Sequence, residues 1–145
     1  MREDGSGSAL IKIFLLLCLL LPNVSSLAVE MRKPRVYPYG WERYFEAAEW
    51  MRDNTPESAV VGTRKPMLFH ILSGRKTFLY AWADPDSVVA HLRENGATHV
   101  VAENIGYTAT SRYLVPAMEA HPKEFWVKWG KEAPQTLVLE VRHGK

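Results

Sequence analysis

The stretch Thr77 to Ala102, TFLYAWADPDSVVAHLRENGATHVVA, decides the fold. It begins with Thr77-Phe-Leu-Tyr80 and ends with His99-Val-Val-Ala102, two short runs of strand composition. Between them, Asp84-Pro85-Asp86-Ser87 offers a capping carboxylate followed by a proline at the first helical position. Val88, Val89 and Leu92 then supply one apolar face, and Gly96 closes the segment. A strand, a helical crossover and a second strand make a unit whose strands run parallel, because the helix has already carried the chain back to its starting end.

Working outward, the same grammar repeats. Ala59-Val60-Val61-Gly62 reads as a buried strand, and Lys65 to Ser73 as a helix with Pro66 in its first turn and Gly74 at its exit. Upstream, Trp41, Tyr44, Phe45, Ala48 and Met51 fall on one helical face, which Asn54-Thr55-Pro56 terminates. Downstream, Tyr113 to His121 is a third crossover, with Pro116 either starting the helix proper or kinking it. Phe125 to Trp129 and Thr136 to Val141 read as strands joined by a turn over 130–134. The order predicts a small three-layer, Rossmann-like α/β domain over 41–145, with three parallel strands and a C-terminal antiparallel hairpin at one edge.

An apolar segment precedes this domain. Ile13 to Leu21, IFLLLCLLL, has Arg2 and Lys12 before it and Pro22, Asn23 and serines after it, which is the pattern of a signal peptide with cleavage near Ser26-Leu27-Ala28 or Val24-Ser25-Ser26. The rival reading is a retained anchor. As a helix the nine residues reach only roughly 14 Å of a hydrocarbon core about 30 Å thick, and extension through Val29 brings in Pro22, Asn23, Ser25 and Ser26. Residues 1–29 are therefore a signal peptide or a membrane anchor, an N-terminal hydrophobic helix in either case, and 30–40 a linker. Both readings send the domain to the extracytoplasmic face, because basic flanks stay inside. Uncleaved, residues 13–29 would make the membrane a partner.

Composition narrows the function classes. The chain of 145 residues is 47% hydrophobic and 23% charged, which excludes a disordered or low-complexity protein. A net charge of +2 is too small to imply nucleic-acid binding. Cys18, the sole cysteine, lies in the apolar run, so no disulfide framework is available. His70, His91, His99, His121 and His143 show no zinc spacing, and no metal is expected. The first strand-to-helix turn, Gly62-Thr-Arg-Lys-Pro66, has one glycine where dinucleotide sites want three, and no cofactor is expected.

What remains are candidate ligand-binding residues. Arg64, Lys65, Arg75 and Lys76 offer charge-assisted hydrogen bonds to a phosphate or carboxylate if they converge near the ends of the first two strands. Trp82 is placed to stack on a sugar ring. Glu103 and Asn104 follow the third strand, on the usual ligand side of such a sheet. His70 is expected to be a packed histidine with one hydrogen bond, Asp84 and Asp86 helix-start carboxylates, and Trp126 and Trp129 core and hairpin residues. Ser73 and Ser111 lack a nucleophile elbow.

Tyr44-Phe-x-Ala-Ala-x-Trp-Met-Arg-Asp-Asn-Thr-Pro56, Val60-Val61, Arg64-Lys-Pro66, Leu72-Ser-Gly-Arg-Lys76, Thr98-His-Val-Val-Ala-Glu-Asn104 and Leu114-Val-Pro116 through Phe125 form a further pattern. This order, over about residues 41–141, resembles the C-terminal extracytoplasmic domain of polyprenyl-phosphate-sugar glycosyltransferases, multi-spanning membrane enzymes related to protein mannosyltransferases and aminoarabinose transferases. The family's catalytic acid lies in an early loop with no counterpart here, so no catalytic residue carries over. The resemblance implies a noncatalytic accessory domain serving lipid-linked sugar transfer and envelope glycosylation, its partners a multi-spanning glycosyltransferase, a polyprenyl-phosphate headgroup or a glycan. Two alternatives stand beside it: a secreted carbohydrate- or anion-binding module using Arg64, Lys65, Arg75 and Trp82, and a small hydrolase using Glu103 or His70.

Overall fold

The computed structural model describes residues 12, 14, 18, 37, 38, 40–132 and 135–142. Lys12, Phe14 and Cys18 are helical and exposed; the rest of residues 1–36 lies outside the described set, together with the expected cleavage sites and most of the expected linker. Among the described residues no helix is long and apolar enough to cross a membrane. From Tyr37 onward the chain forms one compact unit.

That unit contains α1 (Trp41–Asn54), β1 (Val60–Gly62), α2 (Pro66–Ser73), β2 (Lys76–Phe78), α3 (Pro85–Glu94), β3 (His99–Ala102), a π-helical turn (Thr110–Leu114), α4 (Val115–Ala120), β4 (Phe125–Lys131) and β5 (Thr136–Val141). The sheet order is β2-β1-β3-β5-β4. β1 pairs in parallel with β2 and β3, while β5 pairs antiparallel with β3 and β4. The expected three parallel strands and C-terminal hairpin are both present.

Strand alternation divides the core. Val61, Val101 and Val138 pack with Tyr44, Ala47, Ala48 and Met51 of α1 and Phe69 of α2. Val100, Ala102, Leu139 and Val141 pack in a second cluster with Val88, Val89 and Leu92 of α3 and with Leu114 and Ala117. Neighbours such as Val100 and Val101 thus serve opposite faces, as a period of two requires.

The helix ends follow local chemistry. Asp84 accepts from the Ser87 amide at 3.1 Å and from the Ser87 hydroxyl at 2.7 Å, capping α3. Gly74 ends α2 with φ 68°, its amide donating to the His70 carbonyl. Thr55, preceding Pro56, is extended and stops α1.

Three expectations need correction. The third crossover begins at Thr110, not Tyr113, with a π-helical turn whose closing bond runs from the Val115 amide to the Thr110 carbonyl. Pro116 follows inside the same unbroken helical run, since Leu114 and Val115 are both helical in φ and ψ, and its missing N–H removes a ladder bond immediately after the π turn. β4 continues through Gly130 to Lys131, and a register shift between Val127 and Trp129 bends this edge strand. Trp126 is not core: it is 56% exposed, with the Arg142 guanidinium 3.8 Å from its ring.

Candidate functional site

The connection after β1 leads to α2 on one face of the sheet, and the connection after β3 leads to the π turn and α4 on the other. Adjacent parallel strands whose exits diverge in this way leave a crevice at their C-terminal ends. Thr63-Arg64-Lys65 and Glu103-Asn104 occupy it, and Tyr80 and Trp82 approach from beyond β2.

Glu103 is the centre of this edge. It is 3% exposed, and its Oε1 accepts from the Thr110 hydroxyl at 2.8 Å. Thr110 also bonds the Tyr80 phenol at 2.8 Å, and the Tyr44 phenol bonds Thr63 at 2.9 Å and donates to the Lys65 carbonyl at 3.1 Å. Glu103 Oε2 has no hydrogen-bond partner among the described residues. Burial pushes the carboxyl up to about 7, against the opposing pull of the Thr110 bond and the Arg64 charge. Burial, with a contribution from the Glu103 charge, also pushes the Tyr44 and Tyr80 phenols upward.

Because the folded state holds the Glu103 proton more tightly than the ordinary value of 4.5, its contribution to stability is fully present below about pH 4.5 and is lost as pH rises through about 7. The whole shift corresponds to about 3 kcal/mol. Glu103→Gln should flatten that part of the profile and be about 2–3 kcal/mol more stable than wild type at pH 8. Urea midpoints at pH 4.5, 6 and 8 measure it; parallel wild-type and variant profiles would contradict the account.

Beside Glu103 runs a shelf of alternating cations and rings. The Arg64 guanidinium lies 4.5 Å from the Trp82 ring and 5.0 Å from Tyr107, and the Lys65 ammonium lies 4.5 Å from Tyr107. Trp82 lies nearly parallel to Tyr113 at 6.4 Å, and Arg112 caps Tyr113 at 5.5 Å. Trp82 and Tyr107 are 49% and 42% exposed, so both offer ring area to solvent, whereas Arg64 Nε is buried and unpartnered among the described residues. Asn104 sits exposed at the crevice rim.

The expected convergence of Arg64 and Lys65 with Arg75 and Lys76 does not occur. Lys76 pairs with Val60 at the opening of β1, the opposite end of the strands from Arg64. A βα unit makes this unavoidable, since its helix returns the chain to the strand's starting end. Arg75 is 7% exposed and its guanidinium donates to the Arg52 carbonyl, the Thr55 carbonyl and the Thr55 hydroxyl, which finishes α1. His70 makes a single bond, 2.7 Å to the Arg75 carbonyl, but is exposed rather than packed, and it belongs to that same distal end. Glu103 and His70 therefore cannot share one site.

Tyr107, Thr110, Arg112 and Tyr113 were not among the sequence candidates. They lie in and before the π turn, and the available signal was the unexplained polar and aromatic run 107–113 immediately after the third strand. Among the described residues no His, Cys, Asp or Glu group could hold a metal ion.

The site and sheet define an α/β domain with a polar, aromatic-lined edge. No family model matches the chain, and no curated protein matches its sequence. Among solved structures, it is similar to the C-terminal globular domain of an oligosaccharyltransferase from Archaeoglobus fulgidus, at 11% identity and a TM-score of 0.43, over 67% of this chain and 95% of that one.

Proposed function

We propose that this chain is a noncatalytic, extracytoplasmic accessory domain of small three-layer, Rossmann-like architecture. It serves a multi-spanning glycosyltransferase in lipid-linked sugar transfer by gripping a polyprenyl-phosphate headgroup or glycan at the C-terminal edge of its parallel strands. The resemblance of residues 41–141 to the extracytoplasmic domains of such enzymes supports the setting. One observation carries the binding role: Arg64, whose buried Nε–H has no partner among the described residues, lies against the half-exposed rings of both Trp82 and Tyr107 with Lys65 adjacent. A guanidinium fixed by two rings is already oriented for an oxyanion, and a half-exposed indole is a stacking surface for a sugar.

Titration of the full chain in detergent micelles with a polyprenyl phosphate and with oligosaccharides tests this. Saturable binding should weaken about 10–100-fold in Arg64→Ala, the loss of a charge-assisted hydrogen bond, and less in Trp82→Ala. Arg75 and Lys76, at the other end of the strands, should contribute nothing to affinity. Absence of saturation, or binding indifferent to Arg64, would defeat the proposal.

The exposed Trp82 and Tyr107 also favour a second reading, a secreted carbohydrate- or anion-binding module. The two differ in tethering. Alkaline carbonate extraction with mass measurement separates a peripheral species cleaved near Leu27 from an integral one that keeps residues 13–29.

A further inference from the structure

Against the shelf lies a cleft of about 550 Å³, bounded by the end of β3, the π turn, α4 and the start of β5. Small-molecule sites commonly enclose about 300–1,000 Å³. Glu103 and Thr110, bonded to each other, both belong to its wall, and Tyr107 is shared between cleft and shelf. Two buried groups at this edge lack partners among the described residues: the acceptor Glu103 Oε2 and the donor Arg64 Nε–H. No ion pair joins them, although the two charges attract. Buried polar groups are nearly always paired in folded proteins, so an orphan on Glu103, a residue of the cleft wall, points to a ligand there, whereas Arg64 belongs to the shelf.

We infer that the cleft binds a neutral, hydroxyl-bearing ring, a saccharide, with one hydroxyl donating to Glu103 Oε2 and the ring's C–H face lying on Tyr107 and Met118. The assignment rests on reading this strand edge as the ligand-binding edge. A phosphate or carboxylate would meet the carboxylates of Glu103 and Glu119, both in the cleft wall. An ammonium would approach Arg64 and Lys65 across Tyr107. A hydroxyl donates to Glu103 without bringing a charge of either sign into the wall, and its own oxygen still accepts from a neighbouring donor such as the Asn104 amide. Val115, Met118 and Leu137 supply the apolar wall that a ring face needs.

Binding of this kind is linked to protons. A donor to Glu103 favours the ionised carboxylate, which burial otherwise disfavours. The groups facing it are Tyr44 from α1, Arg64 from the β1–α2 connection, Tyr80 from beyond β2 and Thr110 from the π turn, with Glu119 of α4 across the cleft. The two phenols are raised and do not titrate near neutrality.

Isothermal titration calorimetry of the full chain in micelles with D-glucose, D-mannose and maltotriose, at pH 6 and pH 8, tests the inference. Affinity should be about tenfold higher at pH 8, and a buffer-dependent heat from proton release should appear at pH 6, where the free carboxyl is mostly protonated, and nearly vanish at pH 8. Glu103→Gln should lose both the pH dependence and about tenfold or more in affinity at pH 8, while its raised urea midpoint shows that it is folded. Equal affinity at both pH values, undiminished binding in Glu103→Gln, or pH dependence abolished by Glu119→Gln alone would each overturn the assignment. Saturation by polyprenyl phosphate without any sugar binding would overturn it and leave the shelf standing; saturation by none of these probes would remove both.

Discussion

Gly40→Ala is expected to unfold most of the population at 37 °C. Gly40 precedes α1 with φ 86°, a left-handed conformation that strains any residue bearing a Cβ. Its surroundings leave no room either: a Cβ there would overlap the Asn104 carbonyl oxygen and press on Ile105 Cα, and both are backbone atoms that cannot swing aside as a side chain can. Relief requires moving either the start of α1 or the loop after β3. Tyr44, bonded through its amide to the Gly40 carbonyl, anchors the former in the core, and Ile105 anchors the latter. The expected cost is about 4 kcal/mol or more, a large part of the stability of a domain this size. Urea denaturation monitored by tryptophan fluorescence measures it, and Gly74→Ala is the comparison. Gly74 has φ 68° but nothing within 4 Å of an added Cβ, so it should cost only about 1–2 kcal/mol. Equal losses at the two positions would show that the contact with Asn104 is unimportant.

Arg75→Met should be the second severe change, at about 3–5 kcal/mol. The guanidinium is buried and directs three bonds to Thr55 and Arg52, where the last carbonyls of α1 have no intrahelical donors. Methionine fills similar space but leaves those acceptors unsatisfied beneath the surface. Thr55→Val should reproduce part of the loss, because the Thr55 hydroxyl accepts from Arg75 and donates to the Met51 carbonyl. The double variant should fall short of the sum, since both changes strike one network. Strict additivity in a double-mutant cycle would contradict the assignment. Affinity for any ligand at the Arg64 shelf should be unaltered in whatever fraction remains folded, because the network lies at the opposite end of β1.

This network also joins two compact sequence motifs. Asn54-Thr55-Pro56 and Ser73-Gly74-Arg75 are far apart in sequence but form one hydrogen-bonded joint between α1 and the entrance to β2. They specify architecture, which is why they are compact and recognisable. The ligand edge has no comparable signature. Its aromatic members, Tyr107 and Tyr113, meet Arg64 and Trp82 only after three strands and two crossovers have been laid down. Four basic residues close together in sequence are therefore divided between the two ends of β1, because α2 lies between Lys65 and Arg75.

From sequence alone came the element order, the parallel sense of the first three strands, the Asp84 cap and the Gly74 exit. Each depends on interactions within a few residues or on periodic burial, which a linear reading can follow. The tertiary structure alone decided which charges face one another, that Arg75 is a buried joint at the end of α1, and that Glu103 is buried beside Thr110 in the wall of a cleft. Burial and long-range proximity set the electrostatics of a site, and neither exists until the sheet has closed.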